Sequence, residues 1–129
     1  MASPPARAFL AKAEEYLASS QDNLSKERFT VAAGDAIHAG ISAKDAIVLS
    51  LTGSTNKGRS HSEAVGELRQ ALGQRSEAAA AERALRELVA AKPDVEYGVA
   101  ILSTAKATAL VRRANLLVEL AVDIVRLGR

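Results

Sequence analysis

AAGDAIHAGISAKDAIVLSLTG, residues 32–53, spaces Ala32, Ala36, Ala39, Ala43 and Ala46 three or four positions apart. That spacing puts them on one face of a helix, and strict period-two alternation is absent. Side chains this small let a second helix approach closely. Gly34 and Gly40 weaken the helix locally, and Gly53 ends it. The reading is a helix from about Ser25 to about Leu51, made to be packed against on its alanine side.

Working outward, the same period recurs on both sides. Upstream, Leu10, Ala13, Leu17, Ser20 and Leu24 share one face of a helix from about Pro5 to Asp22, with Ser3 as its cap and the prolines in its first turn. Downstream, Ser60 and Glu63 form an S-x-x-E capping box that starts a third helix at Ser60, and Gly73 ends it. A fourth helix is expected from Ser76, with Glu82 and Arg86 four apart on its surface and the KPD of residues 92–94 as its stop. The last helix is expected from about Asp94, as its cap, to Leu127. Its stripe is Leu102, Ala105, Ala109, Leu116, Leu120, Ile124 and Leu127, widened by Val111, Val118, Val122 and Val125. A helix apolar over so much of its girth is central or lies at an interface, and it motivates a homodimer. Five helices with short loops and no strand make an all-α antiparallel bundle, one domain over 1–129.

Bulk composition agrees. Hydrophobic residues are 48% of the 129, but aromatics only 3%, so the core is built from Ala, Leu, Val and Ile. The net charge of +2 permits an acidic partner without demanding one. Without cysteine there is no disulfide, zinc thiolate or thiol nucleophile, and the cytoplasm is the expected compartment. The N-terminal segment lacks the apolar core of a signal peptide, and no window approaches 18 consecutive apolar residues, so no membrane contact is expected.

Between the second and third helices stands GSTNKGRS, residues 53–60. It has the outline of the phosphate-cradling G-x-x-x-x-G-K-S/T loop. That loop needs a strand before it, a lysine at the seventh position and an acidic residue on another strand for Mg²⁺. Here Arg59 replaces the lysine and no sheet is expected. The better reading is a turn: Gly53 stops one helix, Gly58 permits the turn and Ser60 starts the next.

At this point a resemblance emerges. Residues 32–53 resemble the second helix of HEPN domains, small helical bundles common in prokaryotes. Residues 9–29, FLAKAEEYLASSQDNLSKERF, are similar to the family's first helix. SHSEAVGELRQAL, residues 60–72, resembles the segment in which a His opens a short third helix. AKPDVEYGV, residues 91–99, looks like the turn before the last helix, with Asp94 and Tyr97 matching it. ALVRRANLLVELAVDIV, residues 109–125, resembles that last helix. The resemblance implies an α-helical, commonly homodimeric protein. Many members are metal-independent ribonucleases of toxin–antitoxin and defence systems. Others are inactive partners of nucleotidyltransferase domains, proposed to help bind substrate or nucleotide. The ribonucleases carry Arg, four to six residues, then His near the start of the last long helix. Neither His38 nor His61 has an Arg at that distance before it, and the last helix holds no His, so the motif maps onto no position and no catalytic residue is assigned.

The remaining candidates are ligand-binding ones. Lys57, Arg59, Ser60 and His61 cluster at the start of the third helix, where free N–H groups can hold a phosphate and the positive helix end favours a neutral imidazole. His61 with Arg59 or Arg113 is the alternative, a divergent ribonuclease. A third reading is a purely structural dimeric module. Arg112 and Arg113 interrupt the last apolar helix and either face a ligand cleft or divide, one solvated and the other paired with Glu119 or a first-helix carboxylate such as Glu14 or Glu15. His38 lies among alanines with Asp35 placed to orient it, and Tyr97 is expected to pack its ring. Glu14, Glu15, Glu63 and Glu67 do not form Glu-x-x-His pairs, so neither a metal nor another cofactor is expected.

Overall fold

The computed structural model describes residues 3–55, 60–99 and 101–129, with the His61 side chain excepted. These form α1 (Pro4–Ser25), α2 (Phe29–Thr52), α3 (His61–Leu72), α4 (Ala78–Tyr97) and α5 (Thr104–Ala121), the last running into one π-helical turn, Val122–Arg126. No strand occurs among the described residues. The molecule is the all-α bundle of five helices that the periodicity requires.

α2 is the axle of the bundle and touches all four other helices. Its five spaced alanines, Ala32, Ala36, Ala39, Ala43 and Ala46, are fully buried. Gly40 completes the close approach, because a Cβ there would fall 2.5 Å from Leu88 Cδ1 on α4. Around this seam pack Leu10, Ile37, Ile47, Leu68, Leu85, Leu88, Leu110 and Leu117. Burying each such side chain contributes about 1.5–3 kcal/mol.

The helix ends follow their caps. The Ser3 hydroxyl accepts the Ala6 N–H at 3.3 Å and starts α1. α1 runs three residues past Asp22, and Glu27, at φ 61, breaks the chain before α2. That left-handed turn is why α2 starts at Phe29 and not near Ser25. Gly53, at φ 85, ends α2 with its N–H on the Leu49 carbonyl. Gly73 ends α3.

Three expectations fail in the second half. Residues 92–94 do not stop α4, which carries Pro93 in its interior and continues to Tyr97. Pro93 is exposed, so the carbonyl it leaves without an N–H partner can tilt toward water. Asp94 is therefore helical, its carbonyl accepting the Gly98 N–H at 3.1 Å, and it does not cap the last helix. Ser103 does, its hydroxyl accepting the Lys106 N–H at 3.1 Å. Finally, the Leu127 N–H reaches back five residues to the Val122 carbonyl. That wider turn buries the neighbours Ile124 and Val125 together and swings Leu127 off the apolar stripe to 51% exposure.

The apolar girth of α5 is used inside one chain. Leu110, Val111, Leu117, Val118, Leu120 and Ala121 are all buried against α1, α2 and α4. Its width marks a central helix and no longer argues for a dimer. Among the described residues no helix is long and apolar enough to cross a membrane.

Candidate functional site

α2 packs against all four other helices, and Ser42 to Val48 of its second half are buried, so a charged residue there has little water to reach. Lys44 and Asp45 sit there within SAKDAIV. Lys44 is 3% exposed. Its ammonium lies 2.9 Å from Asp45 Oδ1, 2.5 Å from Glu67 Oε1 on α3 and 3.3 Å from Thr55 Oγ1. Three N–H donors thus meet three oxygens, which satisfies the ammonium. The Thr55 hydroxyl in turn lies 3.1 Å from Asp45 Oδ1 and 3.3 Å from Glu67 Oε1, donating to one or the other.

This cage fixes the chain just after α2. Beyond Gly53 the backbone turns back, with Thr52 Oγ1 within 2.8 Å of both the Val48 and Ser54 carbonyls. Thr55 then docks on Lys44, more than two helical turns before the end of α2. At the far end of the connection, the Ser60 hydroxyl accepts the Glu63 N–H at 3.3 Å. The Glu63 carboxylate lies 3.0 Å from that same hydroxyl. The cap forms at Ser60, but the carboxylate is held by the serine hydroxyl. The start of α3 therefore already has an anion of its own, which weakens the expectation of a phosphate on its free N–H groups.

Lys57 and Arg59 lie outside the described residues. His61 is the first residue of α3, and its side chain is likewise outside them. The cleft beside the cage, about 300 Å³, is lined by Val48, Thr52, Ser54, Glu67, Gln70 and Ala71. Its one formal charge among those described residues is the Glu67 carboxylate.

The two α5 arginines stand apart from this end. Arg113 Nε donates to Glu87 Oε2 of α4 at 2.5 Å. That corrects the partners expected for it: Glu119 takes the Asn115 amide at 3.0 Å, and Glu14 takes the Arg126 guanidinium in two bonds of 2.6 and 3.0 Å. The bond to Glu14, and then its charge, hold the Arg126 guanidinium above its ordinary pKa. Arg112 is exposed and makes no ion pair among the described residues. Ser62, Val65 and Gly66 of α3 line one cleft with Glu82, Arg86, Val89 and Ala90 of α4, whereas Arg113 of α5 takes Glu87. Successive residues lie about 100° apart on a helix, so the start of α3 and Arg113 flank α4 on different sides.

Two further expectations are corrected. His38 is exposed and stacks on Tyr16, ring centroids 5.1 Å apart. Asp35 does not orient it; its carboxylate accepts the Ser19 hydroxyl at 2.6 Å and the Asn23 amide at 3.3 Å. Tyr97 does not pack its ring and is 81% exposed. No group of three or more metal-ligating side chains occurs among the described residues. Lys44, Asp45, Thr55 and Glu67 escaped the sequence reading. The available signal was a Lys-Asp pair in the second half of a helix whose residues there are otherwise small or apolar.

Neither a protein-family model nor a curated protein matches this sequence.

Proposed function

We propose that this protein is a non-catalytic bundle of the HEPN type that binds RNA or nucleotide phosphate through the connection between α2 and α3. One observation carries the reading. The four residues that hold Lys57 and Arg59 run between two anchored ends, Thr55 on the Lys44 cage and Ser60 at the cap of α3. Two cations in so short a span between fixed points match paired phosphates. With Glu63 at the helix start, recognition falls on the two cationic side chains, supported by Ser60 and His61. Arg112, exposed on α5, is a separate cation for a longer strand. The resemblance adds the setting: a cytoplasmic homodimer accessory to a nucleotidyltransferase-like protein, of the toxin–antitoxin or defence type.

The test is fluorescence anisotropy with a labelled single-stranded RNA and with ATP, at low and physiological salt, with chelator present. Lys57→Ala/Arg59→Ala should weaken RNA binding about tenfold or more and flatten the salt slope by about 1.4, the share of two phosphate contacts on a single strand. Binding that ignores both substitutions overturns the reading. Metal-independent cleavage of the RNA, lost in His61→Ala, would replace it by the ribonuclease alternative.

A further inference from the structure

α3 and α4 part along one side and leave a cleft of about 320 Å³. Val65 of α3 and Val89 of α4, both buried, supply its apolar floor. Gly66 and Ala90 line it from the surface, and its described polar residues are Ser62, Glu82 and Arg86. The turn at 73–77 joins the two helices, and Arg69 reaches Glu82 at 3.5 Å close to it. Ser62 therefore lies at the end of the cleft away from that turn. Its hydroxyl stands 3.2 Å from the Ser60 hydroxyl that caps α3. Gly66 sits in mid-helix, where glycine is less favourable than alanine. A Cβ there would meet nothing within 4 Å, so no described neighbour needs the room.

We infer that this cleft is a base subsite: a nucleobase lies over Val65 and Val89 beside Gly66, with its phosphate directed toward the start of α3. The inference rests on the nucleotide reading above and adds the half of the ligand that the cations do not address. Three observations favour this occupant over a side chain from a protein partner. The cleft has the size and make-up of a small-molecule site, apolar walls with a few polar groups. Arg86 carries a planar guanidinium at the exposed rim, a group that stacks on base planes. Finally, Glu82 pairs with both Arg86, at 2.9 Å, and Arg69, at 3.5 Å. One carboxylate between two guanidiniums leaves that rim with an excess of positive charge, which suits an anionic ligand.

The spacing suits one nucleotide. Ser62 and Gly66 are about one helical turn apart, roughly 6 Å along α3. A base beside Gly66 thus leaves room for its sugar before the cap of α3 at Ser60. Stacking of a single base changes Kd by roughly tenfold.

The experiment is an amide-correlation NMR titration of the full chain with adenosine monophosphate, adenosine and ribose 5-phosphate. Each is taken to about 10 mM, which reaches weak affinities. It is repeated with Gly66→Leu, which fills the cleft from its open side, and with Arg86→Ser, which breaks only an exposed ion pair. The spectra themselves report whether each variant is folded. Adenosine monophosphate should shift the amides of residues 62–66 and 86–90 and bind about tenfold more tightly than ribose 5-phosphate. Gly66→Leu should abolish that advantage and Arg86→Ser should reduce it, both leaving ribose 5-phosphate binding unchanged. A nucleotide bound no more tightly than ribose 5-phosphate, or unaffected by Gly66→Leu, overturns the cleft and leaves the phosphate reading to its own test. Adenosine that binds wild type and is lost in Gly66→Leu, in a chain indifferent to Lys57→Ala/Arg59→Ala, keeps the cleft and overturns that reading. No shift from any of the three ligands overturns the cleft.

Discussion

Lys44→Met keeps most of the buried stem and removes the ammonium. The Lys44 side chain is 4% exposed, and those of Asp45 and Glu67 are 12% and 15%. In the variant each of the two carboxylates loses a charge-assisted bond to the ammonium worth about 1.5–3 kcal/mol. Removing one member of a buried ion pair costs about 3–5 kcal/mol, chiefly for the charge left behind. The carboxylates keep some access to water, so the lower end applies, about 3 kcal/mol. With a urea m-value of about 2 kcal/mol/M for a chain of this size, the unfolding midpoint should fall by about 1.5 M. Circular dichroism at 222 nm would follow it. The triple variant Lys44→Met/Asp45→Asn/Glu67→Gln removes the two carboxylate charges that faced the ammonium and should regain most of the loss. A single variant within about 0.5 kcal/mol of wild type would refute the cage as described. So would a triple variant no better than the single.

Two of the mid-helix glycines, Gly40 and Gly66, should answer alanine in opposite ways. In Gly40→Ala the new methyl meets Leu88 Cδ1 at 2.5 Å, and overpacking of about 1–3 kcal/mol outweighs a helix-propensity gain of about 1, for a net loss of about 1 kcal/mol in urea unfolding. In Gly66→Ala nothing lies within 4 Å, and the chain should gain about 0.5–1 kcal/mol; equal effects at the two sites would contradict the packing of α2 on α4. Ser20 is fully buried, and its hydroxyl has no partner among the described residues. Ser20→Ala should therefore be neutral or stabilising by up to about 1 kcal/mol in thermal unfolding, and a clear loss would reveal a bond to that hydroxyl.

What the sequence made legible was whatever a single helix reports about itself. The alanine face of α2, the caps at Ser3 and Ser60 and the stop at Gly53 each depend on residues within a turn or two, and each stands in the structure. The failures depend on partners. Pro93 reads as a breaker until one sees that it lies on an exposed face. Asp94 reads as the cap of the last helix, and only the course of α4 to Tyr97 leaves that role to Ser103. The π-helical turn shifts the apolar register by a fraction of a turn, and no local spacing announces it. At the candidate site, Arg113 had several carboxylates at plausible separations, and only the docking of α5 on α4 selects Glu87. Lys44 stood out of place in its helix, but its oxygens come from Asp45, Thr55 and Glu67, and the chain must fold back for two of them to arrive.

The alanine seam of α2 also governs how this sequence can drift. A leucine core is interchangeable, since Leu, Ile and Met trade volume with modest loss. Five fully buried alanines have less freedom, because any added carbon must find room in an interior that is already packed. Substitution there narrows to Gly, Ser and Ala, and two of these loosen the helix. Lineages of this fold would then diverge in their loops and leucines while their alanines stood still. A distant relative would share spacing long after it had ceased to share identity.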